Sequence, residues 1–150
     1  MSPADDRFSI IRILDHYEEI LDTRDWHSLC EVFTPNAEMD FVAWQAMNLD
    51  EVRAQLRAFL DHCGPTQHLL GNYRIEFHNN DRAHSVCYVR AMHFGKGDHK
   101  GKRYEMWGEY RDEFVRTASG WRIRKRVARP RMHDVDASLL GPPAKSIRKS

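Results

Sequence analysis

Residues 64–72, with the sequence GPTQHLLGN, mark the point at which the spacing of apolar residues changes along the chain. Before this stretch, residues 10–21 place apolar side chains every three or four positions, which predicts an amphipathic helix. After it, residues 73–77 alternate between apolar and polar, which predicts a strand. Helices that precede an antiparallel meander indicate an α+β domain.

We predict three helices in the first half of the chain. The first runs from about Asp5 to Asp22, and the second from Trp26 to Phe33, where residues 34–36 end it. Asp50 is expected to cap the third helix, and Gly64 and Pro65 end it.

The strands follow from two-residue periodicity and from turn signals between the segments. We predict strands at residues 37–43, 73–78, 82–94, 103–114 and 121–127. Long strands of this kind curl around helices and leave a concave apolar cavity, which is the usual ligand site of a small domain.

Length and charge restrict the class of protein. The chain has 150 residues, which fits one domain, and its 23 basic and 22 acidic side chains nearly cancel. We therefore expect no nucleic-acid partner and no anionic membrane surface. No apolar run approaches the ~20 residues that span a bilayer, and the first residues do not resemble a signal peptide, so we predict a cytoplasmic protein.

The cysteines and histidines do not indicate a metal site. Cys30, Cys63 and Cys87 are far apart and form no CxxC pair, and the chain contains neither HxH nor HExxH. We therefore expect neither a disulfide framework nor a bound metal.

His68 and Asp22 are the leading candidates for chemistry. His68 is predicted to follow a turn at the edge of the core, and Asp22 ends the first helix, where its negative charge opposes the helix dipole. A histidine beside an aspartate is a proton-transfer pair, because imidazole titrates near neutrality and a carboxylate fixes its tautomer. In the simpler interpretation, His68 is an exposed loop residue and Asp22 a solvated helix end.

Arg129 is a candidate on the last strand. It is in phase with Trp121 and Val127, so we predict that it points toward the apolar side. A buried arginine needs an anionic partner, either on the substrate or on a carboxylate such as Asp22. The alternative is that the strand ends by Ala128 and leaves Arg129 in solvent.

Further polar side chains are predicted to lie on the same face of their strands as the apolar residues. Tyr104 and Tyr110 direct their hydroxyls into the cavity or are ordinary core aromatics, and Asp112 is either a buried acid or solvated. His93 is a second candidate histidine, whereas His133 is expected to be solvated.

Five short motifs occur in the order typical of a known superfamily. They are Tyr17-x4-Asp22-x2-Asp25-Trp26, Phe33-x3-Ala37-Glu38-Met39-Asp40-Phe41, residues 66–72, Gly108-x-Tyr110-x-Asp112 and residues 120–123. Over residues 7–129 the chain resembles the SnoaL-like branch of the nuclear transport factor 2-like superfamily, and within it scytalone dehydratase, hexachlorocyclohexane dehydrochlorinase and bile acid 7-alpha-dehydratase. The resemblance implies a cone-shaped α+β barrel, in which a curved, mixed, mostly antiparallel sheet wraps around N-terminal helices and a deep internal pocket.

The resemblance also implies a role for each candidate. His68 corresponds to the catalytic histidine, Asp22 to its orienting aspartate, Tyr17 to a tyrosine aimed at substrate oxygen, and Arg129 to a cavity arginine. The expected substrate-binding walls are Phe41, Trp44, Phe59, Met92, His93, Tyr104, Met106 and Tyr110. The implied activity is a cofactor-independent, dehydratase-type elimination on a small cyclic hydrophobic substrate.

Two positions depart from the scytalone dehydratase pattern and leave alternatives open. Phe41 replaces a tyrosine and Tyr110 replaces an asparagine, so we expect a substrate other than scytalone. An isomerase or polyketide cyclase on the same scaffold and a non-catalytic ligand-binding module remain alternatives. We further expect a domain at residues 1–131, a tail at 132–150, and a homodimer or homotrimer.

Overall fold

The computed structural model describes residues 2–135, which form two α-helices and six strands. The helices are α1 (Pro3–Thr23) and α2 (Leu49–Leu60). The strands are β1 (Phe33–Asp40), β2 (Gln45–Ala46), β3 (Cys63–Asn79), β4 (Arg82–Gly95), β5 (Arg103–Thr117) and β6 (Gly120–Val135). Short 3-10 helices lie at Trp26–Glu31 and Gly97–His99.

The strands form one mixed sheet in the order β2-β1-β6-β5-β4-β3. All neighbours are antiparallel except β1 and β6, which are parallel. The sheet is mixed, curved and unclosed, and the predicted α+β class is confirmed.

Helix α1 lies against the concave face of the sheet. Its start is fixed by Ser2, whose hydroxyl accepts from the Asp5 N–H at 3.2 Å while the Asp5 carboxylate accepts from the Ser2 N–H at 3.0 Å. Its apolar stripe, which includes Ile10 and Leu14, is fully buried. The predicted first helix is therefore confirmed to within two residues at each end.

The other two predicted helices differ in detail. The segment after Asp25 is a 3-10 helix that ends at Glu31. The predicted cap of the third helix is wrong, because the side chain of Asn48, not Asp50, accepts from the Glu51 N–H at 3.0 Å. Asp50 lies in the first turn of α2, where its negative charge favours the helix dipole.

Strand β3 begins earlier than the sequence suggests. Gly64 and Pro65 were predicted to form a turn, but β3 starts at Cys63 and includes them. Proline is tolerated because β3 is an edge strand and its pairing with β4 shifts between Cys63 and Thr66. His68 therefore lies inside a strand, in the register position opposite Ala91.

The first strand likewise includes residues that were expected to interrupt the chain. Residues 34–36 were predicted to interrupt the chain, yet they lie within β1, where the pairing with β6 shifts between Phe33 and Glu38. The β3–β4 and β5–β6 connections, at residues 80–81 and 118–119, lie in the gaps between the strands predicted at 73–78, 82–94, 103–114 and 121–127.

Strand β6 contains one extra residue relative to β5. Phe114 pairs with Ile123, whereas the preceding residue, Glu113, pairs with Lys125. Because successive strand residues face opposite sides, this β-bulge reverses the phase of β6 as far as Pro130. Arg126 consequently points inward and is completely buried. A second extra residue, between the partners of Gly108 and Trp107, restores the original phase for Met132 and His133.

The end of β6 lies beyond the predicted domain boundary. The strand continues to Val135, so a boundary after residue 131 would fall inside it. The remainder of the predicted tail, residues 136–150, lies outside the described residues. Neither α-helix in the described part is both long and apolar enough to cross a membrane.

The outer face of the sheet carries exposed apolar side chains, including Leu69, Tyr88 and Met132. Trp107 lies on the same side, with the Arg90 guanidinium 5.6 Å from its ring centre. A homodimer or homotrimer that uses this face stays a prediction.

Candidate active site

A cavity of about 270 Å³ lies between the two α-helices and the concave face of the sheet. Its walls are mainly apolar, and they include two buried histidines, His68 and His93. The cavity is lined by these sequence-predicted residues: Tyr17, Phe41, Trp44, Phe59, His68, His93, Tyr104, Met106 and Tyr110.

Met92 does not line the cavity, so this prediction is wrong. Its neighbours Ala91 and His93 are buried and line the cavity. Because strand side chains alternate between faces, Met92 is directed to the opposite face of β4.

The cavity wall contains His68, which contacts its predicted partner Asp22. The Nδ1 atom of His68 lies 2.7 Å from Oδ1 of Asp22, and the His68 backbone N–H donates to Oδ2 at 3.0 Å. A carboxylate only accepts, so His68 carries a proton on Nδ1, and in the neutral imidazole its Nε2 is the acceptor. The structure thus brings together two residues that are 46 positions apart in sequence.

Asp22 is held in place by further donors. The Thr66 hydroxyl donates to Asp22 Oδ1 at 2.8 Å, and Arg24 Nη1 donates to the Thr66 oxygen at 2.9 Å. Burial opposes ionisation of Asp22, but the hydrogen bonds from His68 and Thr66 outweigh it and hold its pKa below the usual value. These contacts compensate for the unfavourable position of a carboxylate in the last turn of α1.

Arg24 fixes the chain where α1 ends. It adopts a left-handed backbone conformation, with φ of 61°, and its own N–H donates to the Ile20 carbonyl. Its guanidinium also donates to the carbonyls of Leu60, at 3.2 Å, and Gly64, at 3.1 Å. Arg24 therefore connects the end of α1 to the start of β3, the two segments that carry Asp22 and His68.

His93 lies beside His68, with ring centres 5.2 Å apart and nearly perpendicular planes. Its Nδ1 donates to the Tyr104 backbone carbonyl at 3.2 Å, so its Nε2 is an acceptor. Burial and the neighbouring His68 lower the pKa of His93 to about 4. His93 is therefore neutral at physiological pH.

A buried ion pair underlies the tyrosine wall of the cavity. Arg126 donates to both oxygens of Asp112, at 2.7 and 2.8 Å, and both side chains are fully buried. The guanidinium carbon lies 4.3 Å from the Tyr17 ring centre and 4.2 Å from that of Tyr110. Burial raises the pKa of Asp112, and Arg126 opposes this rise.

Arg126 was missed by sequence reasoning, which chose Arg129 instead. Because of the β6 bulge, Arg129 faces away from the cavity and donates to Asp40 at 2.8 Å, with 41% of its side chain exposed. The prediction that Arg129 points into the cavity is therefore wrong. Asp112 was the sequence feature that could have indicated Arg126, since a carboxylate on the apolar face of a strand requires a buried cation as its partner.

Glu18 was also missed. It is 5% exposed, and neither carboxylate oxygen has a hydrogen-bond partner within residues 2–135. Burial raises its pKa to about 7, and the charges of His68 and Arg126 oppose the rise.

His133 lines the mouth of the cavity although the sequence indicated only a solvated residue. It is exposed, but its Nδ1 lies 2.8 Å from the Tyr104 hydroxyl. Its position depends on the extension of β6 to Val135. Among the residues described, no three His, Cys, Asp or Glu side chains group as metal ligands.

Comparisons with known proteins agree with this architecture. The SnoaL-like domain family matches residues 2–127. The protein Rv2910c from Mycobacterium tuberculosis is 31% identical over 125 residues, which cover 81% of this chain and 83% of that protein.

Two solved structures show how widely the fold is shared. The Kfla4162 protein from Kribbella flavida is 26% identical, with a TM-score of 0.84 over 92% of this chain and 98% of that one. A type 2 hexachlorocyclohexane dehydrochlorinase, LinA, is 15% identical and superposes with a TM-score of 0.71 over 98% and 90% of the two chains, which shows the fold alone. The chain therefore belongs to the SnoaL-like domain family.

Proposed function

We propose that this protein is a cofactor-independent lyase that removes a proton from carbon while a neighbouring hydroxyl departs. The observation that supports it best is His68 in the wall of an apolar cavity, with its Nδ1 2.7 Å from the Asp22 carboxylate. An imidazole whose Nδ1–H is held by a carboxylate presents Nε2 as a general base.

The proposed first step is proton transfer from a carbon next to a carbonyl to His68 Nε2. Asp22 stabilises the imidazolium that forms, because its carboxylate accepts from Nδ1 and is itself held by Thr66. A positioned general base of this kind contributes roughly 10²- to 10⁴-fold in rate.

Tyr17 is the proposed donor to the substrate carbonyl oxygen, which becomes negative as the proton leaves. Burial raises the pKa of Tyr17, so its hydroxyl stays protonated and can donate. The adjacent Arg126 guanidinium places positive charge against the Tyr17 ring, which favours negative charge nearby.

The cavity supports a small substrate with one or two rings. Its volume of about 270 Å³ is slightly below the roughly 300–1,000 Å³ of typical ligand sites. Stacked aromatic walls, such as Phe41 and Trp44 at 5.6 Å, favour a flat cyclic molecule. The similarity of fold to a dehydrochlorinase, which is an elimination enzyme by name, also supports this reaction class.

The test uses two model compounds that separate proton removal from elimination. Deuterium exchange at C2 of 1-tetralone in D2O reports the base alone, and conversion of 3-hydroxy-1-tetralone into 1-naphthol reports the complete reaction. We expect catalysis of both by the wild-type protein, a loss of at least about 100-fold in His68→Ala, and a substantial loss in Asp22→Asn.

The control is His84→Ala, because His84 is a surface histidine on β4 outside the cavity. This variant should match the wild type in both reactions. Full activity of His68→Ala would refute the proposed base. Exchange without elimination by the wild type would instead favour the isomerase alternative, which needs the same base but no leaving group.

A further inference from the structure

We propose that Tyr104 is the general acid of this reaction, and that His133 returns its proton. This inference rests on the proposed function and deepens it, since the base assigned above does not explain how the hydroxyl leaves. Hydroxide is a poor leaving group, so its departure as water requires a positioned proton donor.

The two side chains form a hydrogen-bonded pair at the cavity. The Tyr104 hydroxyl lies 2.8 Å from His133 Nδ1, and both residues line the same cavity as His68. Tyr104 is 7% exposed, whereas His133 is exposed to solvent. The pair therefore connects a buried hydroxyl to bulk water.

A continuous row of rings links this pair to the proposed base. The ring centre of His93 lies 5.2 Å from that of His68 and 5.2 Å from that of Tyr104, and Tyr104 lies 5.7 Å from His133. His68 and Tyr104 thus flank His93 along one wall. A substrate against this wall meets the base near one end and the hydroxyl of Tyr104 near the other.

His93 cannot serve as the acid, although it lies between them. Its Nδ1–H is used by the Tyr104 carbonyl, and its neutral Nε2 only accepts. Burial raises the pKa of the Tyr104 hydroxyl to about 12, which keeps it protonated and able to donate. Nε2 of His93 is suited to accept a hydrogen bond from a substrate hydroxyl.

The proposed step conserves atoms and charge. His68 Nε2 takes the proton from C2, and the C–H electron pair forms the double bond between C2 and C3. The C3–O bond breaks with its electron pair, and the departing oxygen takes the Tyr104 proton to leave as water. The resulting phenolate is reprotonated from Nδ1–H of His133, which recovers a proton from solvent, and His68 releases its proton to solvent.

The test compares leaving groups that do and do not need a proton. Tyr104→Phe keeps the ring and its packing but removes the hydroxyl. We expect this variant to lose at least about 100-fold in elimination of 3-hydroxy-1-tetralone. It should keep 1-tetralone exchange and elimination of chloride from 3-chloro-1-tetralone within about threefold of the wild type, because chloride leaves unprotonated.

His133→Gln should show a smaller loss, also confined to elimination of 3-hydroxy-1-tetralone. The control is Tyr88→Phe, on the outer face of the sheet, which should match the wild type in all three reactions. Equal losses for the hydroxyl and chloride substrates, or unchanged elimination of the hydroxyl by Tyr104→Phe, would overturn the assignment. If the wild type catalyses exchange of 1-tetralone but does not eliminate water from 3-hydroxy-1-tetralone, the assignment of Tyr104 is also overturned. If the wild type does not catalyse exchange of 1-tetralone either, the proposed base itself is refuted.

Discussion

Replacement of Glu18 by glutamine should change the pH dependence of stability. Glu18 is buried in α1, and its carboxylate oxygens have no hydrogen-bond partner in residues 2–135. Burial raises its pKa from an ordinary 4.5 to about 7. Ionisation of this side chain is therefore easier in the unfolded chain than in the folded one.

The direction and size of the pH effect on stability follow from the difference in the Glu18 pKa between the folded and the unfolded chain. Below about pH 4.5 the carboxyl is protonated in both the folded and the unfolded state, so it causes no pH-dependent loss of stability. As the pH rises from about 4.5 to 7, the unfolded state ionises first, so the folded state loses stability. Above pH 7 the loss reaches about 3 kcal/mol, at about 1.4 kcal/mol per pH unit.

Urea unfolding of wild type and Glu18→Gln at pH 5 and pH 8 measures this effect. The uncharged amide has the same shape, so the variant should gain about 2–3 kcal/mol relative to the wild type between the two pH values. The comparison between pH values removes any constant cost of burying the amide. Glu19→Gln is the control, because Glu19 is on the same helix but 70% exposed. A stability difference that is the same at both pH values would refute this reasoning.

Two further predictions concern polar contacts around the cavity. Asp112→Asn should lower the free energy of unfolding by about 3–5 kcal/mol, because it leaves the Arg126 charge buried and unpaired. Asp40→Asn should lower it by under about 1 kcal/mol, because the ion pair of Asp40 with Arg129 is partly exposed. Urea unfolding of the two variants measures both values, and similar losses would contradict this difference between a buried and an exposed pair. Thr66→Val should slow 1-tetralone exchange about tenfold, because Asp22 loses the hydroxyl that donates to the oxygen facing His68. Thr66→Ser should retain the wild-type exchange rate, and an unchanged rate in Thr66→Val would show that the hydroxyl is unimportant.

Local sequence was sufficient to select the two central residues as candidates, but not to pair them. The helical spacing that ends at Asp22 and the change to two-residue periodicity near His68 placed both near the junction between helix and sheet, where the structure has a hydrogen bond between them. The family resemblance pointed to the same pair. Spacing alone locates a residue along an element, but it does not show which neighbour the element will have.

The errors arose where pairing between strands decides the outcome. Pro65 is acceptable because β3 is an edge strand, which is known only once the strand order is known. Arg126 replaced Arg129 because one extra residue in β6 reverses its phase, and the β5 partner sets the position of that bulge. His133 reaches Tyr104 because β6 continues past Pro130.

In the proposed reaction, the hydrogen on C2 is transferred to His68 before or as the leaving group departs. The decisive measurement is single-turnover elimination of 3-hydroxy-1-tetralone with hydrogen or deuterium at C2. We expect a clear primary isotope effect in the wild-type protein and 1-naphthol formation reduced to near the uncatalysed rate in His68→Ala. Equal rates for the two isotopologues, together with undiminished turnover by His68→Ala, would show that His68 does not take this proton.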